Sequence, residues 1–347
     1  MLPKMMGGSS YTQYAKVSVP SPPVGDQVSC HRRIMSALAL VFIHTQIEFH
    51  GMSDTAAFIS SAMTENGALC IARTESDGHD SEVTWLSETD HNDYKPVISP
   101  DGAKIAFFRT YQEDPSFFLW RSSICVMDID GSNFHEITDH THMNTEPYWT
   151  RDGSDRVTWS RMVHPDNGKQ GTYAFWSKHD ADPGREQCLS DSNREWINSS
   201  LADGRIFVKV GENYFLMKPN PEGSSIYEPI DYPDEYHYLH KLTISNDETM
   251  IAYMKHVDRD HDEYSGAEIV YAPFDANQPA IGKETAFSPL NPQTFSWYVS
   301  ISADNDRLIF AEDGKMLEYD VRNHSTRQLS TRPGIHYRYP VYVGSIK

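Results

Sequence analysis

The chain has 347 residues, longer than the roughly 100–200 residues of an ordinary domain, although all-β barrels and propellers reach this length as one unit. Its 49 acidic against 30 basic residues leave a net charge of −19, which repels nucleic-acid phosphates and anionic membrane and excludes both as partners of the whole chain. An apolar fraction of 39% with 19 Tyr, 15 Phe and 7 Trp supplies a core, and 20 Gly and 20 Pro spread along the chain point to many short strands joined by turns.

Residues 1–50 read as a leader, rich in Ser, Pro and Gly as far as residue 33 and therefore disordered. The apolar run Ile34 to Ile43 is too short to span a bilayer. It follows Arg32 and Arg33 as a signal-peptide core would, but it lies deep in the chain and no A-x-A-like cleavage site follows it. A stray strand or a false start of the reading frame accounts for it better. Cys30, Cys70, Cys125 and Cys188 stand far apart without a C-x-x-C pair, which argues against zinc, redox and disulfide frameworks. They read as buried small hydrophobes in a reducing, cytoplasmic compartment. Secretion is the alternative, and the N-x-S sequons at Asn198 and Asn323 do not decide it.

Residues 55–90 hold three strand-like runs, Ala56 to Ile59, Ala68 to Ala72 and Glu82 to Leu86. The segment Lys95 to Thr138 then reads strand, S-P-D-G turn, strand, loop, strand, D-G turn, strand. At Pro100-Asp101-Gly102 proline presets φ, Asp can bond its own backbone, and Gly takes a positive φ. Asp130-Gly131 is a second hairpin signal. Degenerate copies start at Glu146, Ile197, Lys241 and Tyr298, a spacing of roughly 45–55 residues that suits propeller blades. Tyr339 to Val343 is the opening strand of a further copy.

The x-P-x-x-S-P-D-G … V-M-D-x-D-G-S-N … I-T string over residues 95–138 resembles the PD40 repeat of TolB-like β-propellers. The resemblance implies one all-β propeller over residues 55–347. It would have five full blades and a sixth shared between the chain ends, the N-terminal strands pairing with the C-terminal strand and leaving no exposed sheet edge. Such proteins include partner-binding proteins, propeller domains of peptidases and pectin-fragment lyases, so the fold does not choose a function. The α/β domain with a G-x-S-x-G elbow that a peptidase needs is missing from this sequence.

In a propeller the innermost strands line the channel, and the loops before them form one mouth. The residues just before those strands are Tyr94, Thr145, Trp196, His240, Trp297 and Arg338, and the first strand positions are Lys95, Glu146, Ile197, Lys241, Tyr298 and Tyr339. Aromatic faces mixed with a few polar groups suit a ring-containing ligand, with Tyr94, Trp196, Trp297 and Tyr298 as its walls; the same rings could instead wedge between blades. Arg109, Arg161 and Lys255, at the ends of the second strands, point to a rim that holds a carboxylate or polarised oxygen, or they pair with acids such as Asp93, Glu146 or Glu195. Glu146 and His240 are the acid–base candidates, with Arg338 stabilising developing negative charge.

No cofactor motif is present. The 16 histidines cluster in part, at His140/His142, His237/His240 and His336, and pectin-lyase relatives hold a divalent metal with histidines from separate blades. The resemblance therefore admits a metal, although no ligand motif matches residue by residue. The acidic loop Asp258 to Glu263 lacks the Gly and Glu of a calcium loop and reads as solvated.

The sequence thus points to a propeller that binds a ring-containing small molecule at its channel mouth and acts on it. Hydrolysis or elimination of a sugar or uronide is one reaction class, and cyclisation or rearrangement of a biosynthetic intermediate is another. The alternative is a non-catalytic scaffold that uses its rim, and the apolar Phe117 to Trp120 loop, to bind a protein partner. Stand-alone propellers of this look also occur in fungal secondary-metabolite clusters such as the trichothecene clusters, where the scaffold would be an accessory protein.

Overall fold

The computed structural model describes residues 56–77, 81–87, 91–112, 120–163, 172–180, 186–189, 195–211, 213–220, 224–232, 238–256, 267–288, 296–329 and 334–343. The apolar run at 34–43 and the acidic loop at 258–263 lie outside these residues.

All described regular structure is β. Strands β1 (Ala56–Met63), β2 (Leu69–Ser76) and β3 (Ser81–Trp85) come first. A second sheet is built from β4 (Asn92–Ile98), β5 (Lys104–Gln112), β6 (Arg121–Asp128) and β7 (His135–Glu136). The third holds β8 (Met143–Trp149), β9 (Arg156–Val163), β10 (Thr172–His179) and β11 (Gln187–Cys188). The fourth holds β12 (Glu195–Ser200), β13 (Ile206–Val210), β14 (Asn213–Lys218) and β15 (Ile226–Pro229). In the fifth, β16 (Tyr238–Ile244), β17 (Met250–His256), β18 (Ala267–Asp275) and β19 (Ala280–Ile281) are joined by β20 (Thr285–Ala286), which pairs with β18. The next sheet contains β21 (Ser296–Ile301), β22 (Arg307–Glu312), β23 (Lys315–Asp320) and β24 (Ser325–Gln328). The last strand, β25 (His336–Tyr342), pairs antiparallel with β1 to make a composite sheet ordered β25-β1-β2-β3.

The arrangement is a β-propeller with five blades built from consecutive strands, beside the composite sheet of the two chain ends. One apolar cluster joins each sheet to the next. Ile59 and Ile71 of the composite sheet pack on Ile105 and Phe107, and Ala106 and Phe108 pack with Trp149 and Trp159. On the far side, Ile309, Ala311 and Met316 meet Phe58 and Tyr337. Burying a side chain of this size stabilises by about 1.5–3 kcal/mol, more than an exposed ion pair supplies, so these clusters rather than surface charges hold neighbouring sheets together.

The turns repeat a single device. Ser99, Ser245 and Ser302 donate to Asp101, Asp247 and Asp304 at 2.6, 2.7 and 2.6 Å. Each carboxylate in turn accepts a backbone N–H two residues on, from Ala103, Thr249 and Asp306. Gly102, with φ +75°, occupies the left-handed position between, and Glu248 and Asn305 adopt the same conformation at φ 61° and 62° without being glycine. Their side chains are engaged elsewhere: Glu248 accepts the Ala202 N–H, and Asn305 bonds Asp247 and Thr249 of the preceding blade.

Among the described residues no helix is long and apolar enough to cross a membrane. Cys70 and Cys125 are buried thiols as expected, whereas Cys188, on the short outermost strand β11, is exposed and corrects the expectation that every cysteine is interior.

Candidate functional site

Strands β4, β8, β12, β16, β21 and β25 are the innermost of their sheets, and each breaks register with its neighbour. The ladder skips between Tyr94 and Val97, Thr145 and Tyr148, Ile197 and Ser199, His240 and Thr243, and Trp297 and Val299. In β25 the skip falls between Arg338 and Val341. At five of these bulges the residue that begins the break is left-handed without being glycine: Lys95 (φ 51°), Glu146 (54°), Lys241 (53°), Tyr298 (44°) and Tyr339 (54°). That conformation costs an L-residue about 1–2 kcal/mol. It persists only where the surroundings over-determine it, and bulges re-aim side chains next to sites.

Here the re-aimed side chains converge. The Glu146 carboxylate is ion-paired through Oε2 with Lys95 Nζ, accepts the Tyr298 hydroxyl on Oε1 at 2.8 Å, and lies 3.4 Å from Lys241 Nζ. Lys95 Nζ also donates to the Tyr148 hydroxyl at 2.6 Å and sits 4.2 Å from the centre of that ring and 5.1 Å from that of Tyr298. Lys241 Nζ lies 4.8 Å from the Tyr298 ring, which packs on Tyr339 at 4.4 Å. One carboxylate therefore serves two ammonium groups in a nearly dry environment. Burial, reinforced by the like charge of Lys241, pushes the Lys95 ammonium well below its ordinary value. Burial raises the Tyr148 phenol, which stays protonated.

A cavity of about 180 Å³ adjoins this cluster. Lys95, Tyr148, Tyr298 and Tyr339 line one end, and Asn246 and Ala303, in the turns that leave β16 and β21, line the other. Its walls are the later residues of the innermost strands, among them Val97, Thr243 and Val341. The cavity thus runs from the bulges toward the strand C-termini, the end opposite the mouth that the sequence singled out.

Of the residues expected at the site, the structure brings Glu146 and Tyr298 together. Tyr94 stacks on Phe108 at 5.0 Å and meets Tyr339 at 6.2 Å, so it supports the aromatic wall from behind. Three expected cations form ion pairs within their own sheets. Arg109 makes a bidentate pair with buried Asp93 at 2.7 and 2.9 Å. Arg161 does the same with Glu186 at 2.6 and 2.9 Å and bonds Asn144, and Lys255 pairs with Glu284. Their charge is committed to these carboxylates; Asp93 is a partner that the sequence suggests, whereas Glu186 and Glu284 are not.

Arg338 is half-buried on β25 opposite Ser61. The backbones of Trp196, His240 and Trp297 stand opposite Lys209, Met254 and Ala311, and their side chains lie outside the described residues, as does the Phe117 to Leu119 loop. Trp120, at the end of that loop, packs on Tyr94 at 5.8 Å. Of the histidines, His140 packs on Tyr111 with ring centres 4.6 Å apart, His142 lies near Asp139, and His237 is outside the described residues. Among the described residues no three His, Cys, Asp or Glu side chains come together as a metal site would need.

Sequence reasoning aligned Lys95, Lys241 and Tyr339 in the right column but gave them no role, and it passed over Tyr148. A signal was present: Pro96, Pro147 and Pro340 each follow a channel residue. A proline inside an inner strand lacks the N–H that a ladder needs, so it marks a bulge.

Five blades and a composite sheet, with charged and tyrosine side chains converging from the innermost strands, define the class as a β-propeller. The fold is TolB-like. No family model matches the sequence, and no curated protein is similar to it. Among solved structures, TolB from Acinetobacter baumannii superposes with a TM-score of 0.60 at 15% identity, covering 84% of this chain and 67% of that one. Hydrazine synthase from Kuenenia stuttgartiensis gives a TM-score of 0.59 at 13% identity over 86% of this chain, which spans only 48% of that protein. At such identity the likeness concerns the fold alone.

Proposed function

We propose that the six sheets close into one ring through the composite sheet, and that the channel binds a small, single-ring molecule and acts on it by proton transfer. The observation that carries this reading is the convergence of Lys95, Glu146, Lys241 and Tyr298, four of the five left-handed bulge residues, at the end of a cavity. A ring held together by apolar clusters between sheets does not need five strained residues at its axis; a site that aims functional groups inward does.

The cavity has room for a ring: a closed cavity of about 150 Å³ in another protein holds benzene, and about 180 Å³ accommodates one ring with a short substituent. Tyr298 and Tyr339 supply faces for that ring, and Lys95 with Glu146 supplies a base and an acid a few ångströms apart. Elimination or hydrolysis at a sugar or uronide ring fits such a pair, as does rearrangement of a cyclic intermediate. His240 and Arg338, one residue before Lys241 and Tyr339, are proposed as further polar groups at the opposite end of the channel.

Thermal-shift screening against monosaccharides, uronic acids, cyclic terpenoids and aromatic carbonyl compounds tests the reading. A ligand at 100 times its dissociation constant stabilises by about 2.7 kcal/mol. A shift seen with the native chain and lost in Tyr298→Ala supports the channel site. If no compound shifts the melt while affinity purification returns one stable protein partner, the small-molecule reading is wrong and the scaffold takes its place.

A further inference from the structure

We propose that Lys95 is a carbonyl-reactive amine: from the end of the channel cavity, between the Tyr148 and Tyr298 rings and beside Glu146 and Lys241, it forms an imine with a small ring-bearing aldehyde or ketone. The inference rests on the channel being a small-molecule site and names the substrate class of that site.

Two ammonium groups, on Lys95 and Lys241, meet one carboxylate, and the three side chains are only 5%, 12% and 11% exposed. A single negative charge cannot compensate two buried positive ones, and the cheapest remedy is for one lysine to give up its proton. Lys95 is the deeper of the two and lines the cavity, whereas Lys241 does not. A desolvated lysine next to another cation is a recognised way to make a nucleophilic amine at neutral pH. Among the described side chains, the titratable groups that face it from neighbouring strands are Glu146 and Tyr148 on β8, Lys241 on β16, and Tyr298 on β21, with Tyr339 of β25 behind.

The same groups suit each stage of the reaction. The lone pair of the neutral Lys95 nitrogen attacks the carbonyl carbon, forming a C–N bond as the C=O π pair moves to oxygen, and Glu146 carries a proton from that nitrogen to the oxygen to give the carbinolamine. The second N–H proton follows by the same route, so the hydroxyl leaves as water, its C–O bond breaking as nitrogen completes the C=N bond. No oxidant or reductant is consumed. Tyr298, donating to Oε1 of Glu146, keeps the carboxylate oriented toward Lys95 during the exchange. The Tyr148 and Tyr298 rings flank the nitrogen, so a flat conjugated ring attached to the carbonyl can lie against an aromatic face.

The test uses the full chain, benzaldehyde and cyanoborohydride at pH 7, with adducts located by peptide mapping. An ordinary lysine with a pKa of ~10.4 is only about 0.04% neutral at that pH, so surface sites react slowly. The expected result is a benzyl adduct at Lys95 forming at least ~10-fold faster than the mean of the other lysines, a preference that disappears in concentrated urea. Lys241→Met removes the neighbouring cation and should move the midpoint of the Lys95 rate–pH profile to higher pH, which a purely structural lysine would not show. Benzyl alcohol, which cannot form an imine, is followed in parallel by thermal shift. If benzyl alcohol stabilises the protein while Lys95 reacts no faster than the surface lysines, the channel binds rings and the imine chemistry is overturned. If neither happens, the inference and the channel reading fall together.

Discussion

Replacing Glu146 with Gln removes one negative charge from the channel cluster while keeping the side chain's shape and an amide oxygen for the Tyr298 hydroxyl. What remains is a pair of ammonium groups, 5% and 12% exposed, with no countercharge from this position. Breaking a buried ion pair by removing one partner costs about 3–5 kcal/mol. Lys95, whose ammonium is already held well below its ordinary value, can shed its proton and relieve part of this, so the lower figure of about 3 kcal/mol is expected. At roughly 2–4 °C per kcal/mol for a large domain, Glu146→Gln should melt roughly 6–12 °C below the native chain at pH 7. The sign of the pH dependence follows. In the variant the folded state holds the Lys95 proton even less firmly, whereas the unfolded chain keeps it up to ~10.4. Between those two values the unfolded state binds more protons, so the stability of the variant rises from pH 7 to pH 9.5. Thermal melts followed by circular dichroism at both pH values measure this. A variant melting within about 2 °C of the native chain at pH 7, or one whose stability does not rise from pH 7 to pH 9.5, refutes the picture of two lysines sharing one carboxylate.

Three further outcomes follow from the same structure. Lys95→Met removes the lysine whose folded value lies below its unfolded one, so the rise in stability from pH 7 toward 10 seen in the native chain should flatten, as urea titrations across that range would show. Gly102 and Gly131 both have left-handed backbones, but a Cβ on Gly102 meets nothing within 4 Å, whereas one on Gly131 would sit 2.9 Å from the Leu86 carbonyl oxygen. Chemical denaturation should therefore show Gly102→Ala costing about 1–2 kcal/mol and Gly131→Ala at least about 1 kcal/mol more. Arg109→Met strands the fully buried Asp93 carboxylate and should cost about 3–5 kcal/mol in urea. The same variant should leave the affinity of a channel ligand within about twofold of the native value, since 1.4 kcal/mol would be tenfold.

Much of the fold was legible because its signals are local. Ser99-Pro100-Asp101-Gly102 reads as a turn from its own chemistry, and the Ser–Asp–N–H pattern recurs even where Gly has become Glu248 or Asn305. The apolar runs at residues 56–59 and 68–72 read as strands from composition, and β1 and β2 occupy them. The site was legible only as a column. Alignment on the turns placed Lys95, Glu146, Lys241, Tyr298 and Tyr339 at one register position. Which end of the channel they face depends on a left-handed φ that no Lys, Glu or Tyr advertises. Ion-pair partners were harder still. Glu186 and Glu284 meet Arg161 and Lys255 across sheet strands separated by long loops, and charge alone does not say which acid a cation will find.

The central claim is that the channel between the bulge residues and the turns after the innermost strands is the binding site. A crystal of the full chain soaked with single-ring fragments tests it most directly. The account predicts fragment density against the Tyr298 and Tyr339 rings, within hydrogen-bonding reach of Lys95 Nζ. Fragments found only at the opposite end, around Arg338 and the strand starts, or excluded from the channel altogether, would contradict it.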